Sequence, residues 1–134
     1  MIRTIPVKSS SRTEMIDITA SVQEAVRQSG VREGVCVVFV PHTTAAVTLN
    51  ENADPSVLQD LNRAMNQLVP FENRYLHLEG NSAAHIKSSL LGCSHSILIE
   101  SGQLVLGTWQ GVFFWEFDGP RNRKVYVRAI RDRE

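Results

Sequence analysis

Apolar positions recur along this chain with two periods, and the switches between them divide it into elements. Residues 4–7 (TIPV) and 13–20 (TEMIDITA) read as strands on either side of a polar KSSSR turn. Val22 and Val26, four apart, then set a helical period over residues 19–30, with Thr19 placed to cap the start and Gly30 to end it. GVCVVFVP (34–41) is a continuous apolar run and predicts a central strand. TAAVTLN (44–50) alternates, with Ala45, Val47 and Leu49 on one face and Thr44, Ala46 and Thr48 on the other. Asp54 before Pro55 predicts a helix start, an acceptor at the N-cap followed by proline at the first helical position. Val57, Leu58, Leu61, Met65 and Leu68 follow at helical spacing, so this helix should pack on the core.

Residues 81–92 (NSAAHIKSSLLG) predict a shorter helix closed by Gly92. The remainder is strand-like: HSILIE, QLVLG, GVFFWEF and KVYVRAI, broken by SG and DGPRNR turns. In VFFWEFD, Phe113, Trp115 and Phe117 fall on one face and Phe114, Glu116 and Asp118 on the other. Many strands interrupted by two or three helices, without a regular βαβ alternation, predict an α+β domain with a mostly antiparallel sheet. No linker, repeat or low-complexity tract divides residues 1–134, so one domain is expected.

Composition narrows the function classes. Lys+Arg and Asp+Glu are 14 each, a formal net charge of zero, which gives no global attraction to nucleic acid or to an anionic membrane. Any anion site must be local. Of the two cysteines, Cys36 lies in an apolar run and reads as core, while Cys93 sits near a helix end; neither belongs to a CxxC pair, which fits a reducing compartment. There is no secretory h-region and no apolar run long enough to span a membrane, so a cytoplasmic protein is expected. Phosphate-loop, dinucleotide and nucleophile-elbow signatures are absent from the sequence.

Several polar groups remain that could carry chemistry. His42, His77, His85 and His95 form no HExxH or CxxC…H pattern, so local spacing does not by itself make a metal site. Glu116 interrupts an aromatic strand, where a carboxylate is costly to bury without a partner; it is either a functional group or an outward position on a one-sided sheet. Arg121 and Arg123, two apart after a turn, would point to one side as a clamp for phosphate oxygens, or simply end a charged hairpin. Thr108, Trp109 and Gln110 lie between glycines, where Trp109 and Gln110 could stack on and hydrogen-bond a heteroaromatic ring, or form a bulged turn with a packing tryptophan.

The order HTTAAVTLNENADPSVLQDL, HLEGNSAAHIKSSLLG, GQLVLGTWQGV and EFDGPRNRKVYV closely resembles the YjbQ family over essentially the whole chain. The resemblance implies an α+β sandwich assembled as a homotrimer, with a polar site near subunit boundaries. It implies that His42, Asn50, Glu51, Asn52, Asp54, His77, His85, Thr108, Trp109, Gln110, Glu116 and Arg121 belong to that site, while His95 falls outside the motifs. Some members are assigned a secondary thiamine-phosphate synthase activity, which joins a pyrimidine diphosphate to a thiazole phosphate and releases pyrophosphate. On that reading the partner is a small phosphorylated metabolite. Asn50, Asn52, Asp54, Thr108, Trp109, Gln110, Arg121 and Arg123 would bind it, with His42, Glu51 and Glu116 as proton-transfer groups. His42, His77 and His85 would hold a divalent metal, zinc in preference to magnesium because imidazole suits it. The competing expectations are a zinc-dependent hydrolase of a small phosphorylated or amide substrate and a non-catalytic trimeric metabolite-binding protein.

The strand over residues 43–49 raises a geometric problem. It holds His42 at one end and the 50–54 turn at the other, and a strand of that length spans roughly 20 Å. Both ends cannot serve one site within one subunit unless the chain bends back. A trimer would permit one end to complete a neighbour's site.

Overall fold

The computed structural model describes residues 1–133. The strands are β1 (Arg3–Lys8), β2 (Glu14–Asp17), β3 (Gly34–Phe39), β4 (Ala45–Glu51), β5 (Ser94–Glu100), β6 (Gln103–Leu104), β7 (Gln110–Glu116) and β8 (Asn122–Arg131). The helices are α1 (Thr19–Ser29), α2 (Pro55–Leu68) and α3 (Ser82–Leu91). All pairings are antiparallel and build two sheets, a five-stranded one ordered β1-β8-β3-β5-β6 and a three-stranded one ordered β2-β7-β4. This is the expected α+β class. Among the described residues no helix is long and apolar enough to cross a membrane.

The continuous apolar run becomes β3, in the middle of the larger sheet, because both of its edges are paired and its inward side chains Cys36 and Val38 are fully buried. Gly34 is required there: a Cβ would stand 1.9 Å from the Ile130 carbonyl oxygen of β8. The main core joins the two sheets and α1 through Val22, Val26, Val38, Val47, Phe114 and Val125. A second core lies on the other face of the small sheet, where Ala46, Trp115 and Phe117 meet Ala84 of α3, with Leu61 and Met65 of α2 packed against them. β7 is thus buried on both faces from Gly111 to Glu116, which is why its apolar residues Val112, Phe113, Phe114 and Trp115 run without alternation.

Several local expectations need correction. Thr19 does not cap α1; Ile18 holds that position, and the Thr19 hydroxyl accepts from the Val112 amide at 2.8 Å while donating to Asp17. The segment 13–20 gives only the four residues of β2 because the chain turns into α1. Helix α2 starts at Pro55 with the Asp54 carboxylate accepting from the Ser56 amide, as its sequence predicts. Its packing is shallower than predicted: none of its residues is buried, and Leu68 is 75 % exposed. Glu116 is not an outward position, since β7 has no outward face and the residue is 0 % exposed.

Candidate functional site

His42, His77 and His85 come from three separate pieces of chain and line one polar cavity of about 460 Å³. His42 follows β3, His77 lies in the connection between α2 and α3, and His85 sits in the first turns of α3. Thr43, Glu79, Asn81, Asp118 and Arg121 complete most of the wall. An adjoining apolar cleft of about 590 Å³ shares His77 and His85 and is otherwise lined by residues such as Tyr75, Leu76 and Ile86. A volume of this order accommodates a small metabolite.

The His42 ring is held against the backbone of β8. Its Nε2 lies 3.0 Å from the Lys124 amide nitrogen and 3.1 Å from the Lys124 carbonyl oxygen. Nε2 can therefore accept from the amide, leaving the proton on Nδ1, or donate to the carbonyl, leaving the Nδ1 lone pair free. Burial, with the nearby Arg123 charge, holds the His42 pKa below the ordinary histidine value, so the ring is neutral at neutral pH. A neutral imidazole fixed through one nitrogen by a backbone carbonyl is the arrangement a metal-ligating or proton-transferring histidine needs.

The His77 and His85 rings meet edge to face with centroids 5.5 Å apart. His77 Nε2 also lies 3.9 Å from a Glu79 carboxylate oxygen. As a donor set, three imidazoles suit zinc. Among the described residues, however, no three His, Cys, Asp or Glu side chains stand close enough together to hold a metal ion. The histidines share a cavity without forming a ready-made coordination cluster.

Arg121 folds back on its own turn. Its Nε donates to the Asp118 carbonyl at 2.8 Å and its Nη2 to the Asp118 carboxylate at 2.9 Å. The side chain remains half exposed. Asp118 also accepts from Asn81 Nδ2 at 2.9 Å, which leaves Asn81 Oδ1 buried without a hydrogen-bond partner among the described residues. Asn81 immediately precedes α3, yet its side chain makes no cap bond there. The sequence reading assigned Asn81 no role, because the Asp118 contact that turns its side chain inward comes from a distant part of the chain.

Arg123 also lines the cavity, beside Arg121. It is the first buried residue of β8 beyond the turn, its side chain is 4 % exposed, and its guanidinium is engaged by Glu116. Arg123 Nε and Nη2 donate to the two Glu116 oxygens at 2.9 and 2.5 Å, and Nη2 also reaches Thr44 Oγ1 at 2.8 Å. Glu116 further accepts from Ser9 Oγ at 2.7 Å and from the Asp118 amide at 3.1 Å. Burial pushes its pKa up, but the hydrogen bonds from Arg123, Ser9 and Asp118 outweigh burial and hold the carboxyl below its usual range. An ionised, fully partnered carboxylate with no exposed surface is a poor general base. Glu116 therefore braces the cavity floor and does not line the cavity.

The other candidates lie at the far end of β4. The register pairs Ala45 with Glu116 and Glu51 with Gln110, so β4 and β7 together carry the histidine end and the Asn50–Gln110 end apart. Asn50 Oδ1 accepts from the Glu51 amide, Asp54 caps α2, and Gln110 Oε1 accepts from the Gly107 amide at 2.8 Å. The Asn52 amide donates to the Trp109 carbonyl at 2.9 Å, tying the two turns together. Thr108 is exposed, and Trp109, 62 % exposed, is not the packing tryptophan of a buried turn. None of these residues lines the histidine cavity.

Three further titratable groups lie away from the cavity wall. Burial pushes the Cys36 thiol up to about 11, so it is an inert core residue, whereas Cys93 is exposed. Lys87 is 0 % exposed on α3, and burial, with the Arg12 charge, pushes its ammonium down to about 8. A lysine on the stripe of small residues formed by Ala83, Ala84 and Ser88 was a readable signal that the sequence analysis passed over.

The relatives of this chain are similar to it in both sequence and fold. The family model described as UPF0047 protein YjbQ-like matches residues 3–132. A UPF0047 protein of Methanocaldococcus jannaschii is 53 % identical over 127 residues, covering 95 % of this chain and 92 % of its own. The UPF0047 protein YugU of Bacillus subtilis is 46 % identical over 131 residues, covering 97 % and 99 %. Among solved structures, a YjbQ/UPF0047 protein of Clostridium acetobutylicum superposes with a TM-score of 0.94 at 53 % identity over 96 % of this chain and 99 % of its own. A protein of unknown function from Sulfolobus solfataricus gives a TM-score of 0.94 at 31 % identity over 98 % and 97 %. The chain belongs to the YjbQ-like UPF0047 family.

Proposed function

We propose that the histidine cavity binds a small phosphorylated heterocycle and that the protein is a transferase of the thiamine-phosphate synthase type. One observation carries this reading: His42, His77 and His85, distant in sequence, line a single polar cavity with Arg121 in its wall. In the proposed reaction a ring nitrogen of the thiazole phosphate forms a bond to carbon as the bond from that carbon to the diphosphate oxygen breaks. The leaving pyrophosphate carries the developing charge, and positive groups must neutralise it. Arg121 is the guanidinium available for this, by exchanging its Asp118 contact for a phosphate oxygen. His42 in its Nδ1-protonated form supplies a neutral donor to the same oxygens. His42, His77 and His85 do not stand close enough together to hold a metal ion as they are; drawn together they would hold a divalent metal, zinc in preference to magnesium, which would supply further charge neutralisation.

A zinc-dependent hydrolase is the second reading, favoured by the same three imidazoles. Trp109 does not line the cavity of its own subunit, so in this proposal it acts on a neighbour's site in a cytoplasmic homotrimer. The test is a pyrophosphate-release assay with the two thiamine precursors, run with and without added zinc. The wild type should release pyrophosphate, and Arg121→Ala should bind pyrophosphate more weakly by about 1.5–3 kcal/mol in calorimetry. No release above background under either condition overturns the transferase reading.

A further inference from the structure

The stretch between α2 and α3 delivers His77, but little of it is anchored. From residue 70 to residue 80 only Phe71 and Tyr75 are partly buried, and Leu76 and Leu78 are 96 % and 100 % exposed. Tyr75 is tied locally, its hydroxyl donating to the Pro70 carbonyl at 2.5 Å. Phe71 is tied to the body of the protein. Arg12 places its guanidinium carbon 3.6 Å from the Phe71 ring centroid, and Lys87 places Nζ 3.9 Å from it.

No ion pair with a carboxylate engages either cation among the described residues. Lys87 Nζ donates to Asn66 Oδ1 at 2.5 Å, and Asn66 Nδ2 donates in turn to Thr13 Oγ1 at 3.3 Å. The Phe117 ring is more distant, its centroid 5.9 Å from Nζ, so the buried ammonium, satisfied by one amide oxygen, depends chiefly on the Phe71 face. The same Lys87 lies on α3 two residues beyond His85, so the grip on Phe71 fixes the connecting stretch relative to the helix that carries the other histidine.

We propose that Phe71, held by Arg12 and Lys87, is a positioning residue that sets His77 against His85 in the cavity. This deepens the reading of the histidine cavity as the functional site and rests on it. The ring does not touch the cavity; it acts through the chain that follows it. Without the cation–aromatic contacts the stretch from 72 to 80 keeps only its local bonds, and His77 loses its fixed approach to His85.

The experiment compares Phe71→Leu with Phe71→Tyr, the first keeping apolar volume without an aromatic face and the second keeping the face. Through-space NMR contacts between the His77 and His85 ring protons report the geometry without any ligand. Zinc alone, titrated by calorimetry, reports the consequence for the cavity. Phe71→Leu should lose the ring-to-ring contact and weaken zinc binding by about 10–30-fold, as expected for losing a desolvated cation–aromatic contact, with Phe71→Tyr close to wild type in both. Retention of the His77–His85 contact in Phe71→Leu overturns the proposal. If the wild type binds no zinc, the metal reading of the cavity fails while the NMR comparison still decides the role of Phe71.

Discussion

Removing the Arg123 guanidinium from the cavity wall gives the sharpest test of how Glu116 works. In Arg123→Met the stem is kept and the charge is lost. Glu116, 0 % exposed, then keeps Ser9 and the Asp118 amide but loses both contacts from Arg123. Breaking a buried ion pair by removing one partner costs about 3–5 kcal/mol, because the other charge stays buried without compensation. Against a total stability of about 5–15 kcal/mol for a domain, that is a large fraction. A melting temperature lower by about 10–20 °C follows for a chain of this size. Glu116→Gln should cost a similar amount, because Arg123 becomes the stranded charge. The double variant Glu116→Leu with Arg123→Met should recover much of the loss, so the two effects will not add.

Urea unfolding of all four proteins at one protein concentration measures these terms. Acid titration adds an independent check. The folded Glu116 carboxyl titrates below its unfolded value, so its stabilisation is fully present above about pH 4.3 and is lost as the pH falls through the folded pKa. Glu116→Gln should remove that component of the acid sensitivity. If Glu116→Gln instead costs under about 1 kcal/mol while pyrophosphate release disappears, the carboxylate is a chemical group and the structural argument is wrong.

Two other outcomes are expected. Asp54→Ala should lower the melting temperature by a few degrees, through loss of the cap on Ser56, and leave pyrophosphate affinity unchanged; an altered affinity at unchanged stability would restore Asp54 as a binding residue. Light scattering should give about three times the 15.0 kDa chain mass, and a monomer at micromolar concentration would remove every argument that assigns Trp109 to a neighbour's site.

The elements were legible where one physical signal dominated. Asp54–Pro55 predicts the start of α2 because acceptor and fixed φ act within three residues, and the run through Cys36 and Val38 predicts a central strand because no polar residue interrupts it. Thr19 misled because a threonine at a helix start is read as a cap, whereas its hydroxyl is claimed by Val112 more than ninety positions away. The same long-range claim decides Glu116 and Arg123. Their alternation along β7 and β8 shows which side chains can meet, but not that they take each other instead of water or phosphate; that depends on Ser9 and Thr44 arriving from elsewhere.

The division of the candidate residues follows from the one register that sequence could only suggest. β4 pairs with β7 from Ala45↔Glu116 to Glu51↔Gln110 without interruption. Two strands of seven residues paired to each other without a bulge hold their ends roughly 20 Å apart. Asn50, Gln110 and Asp54 each direct a side-chain oxygen to a neighbouring amide, which is what turn residues do when they serve the fold. Trp109 does not: a mostly exposed indole between two turns has no folding duty in this subunit. Of the distant group it is therefore the residue for which an intermolecular role is physically economical, while the histidine end is the one whose polar side chains already face a common cavity.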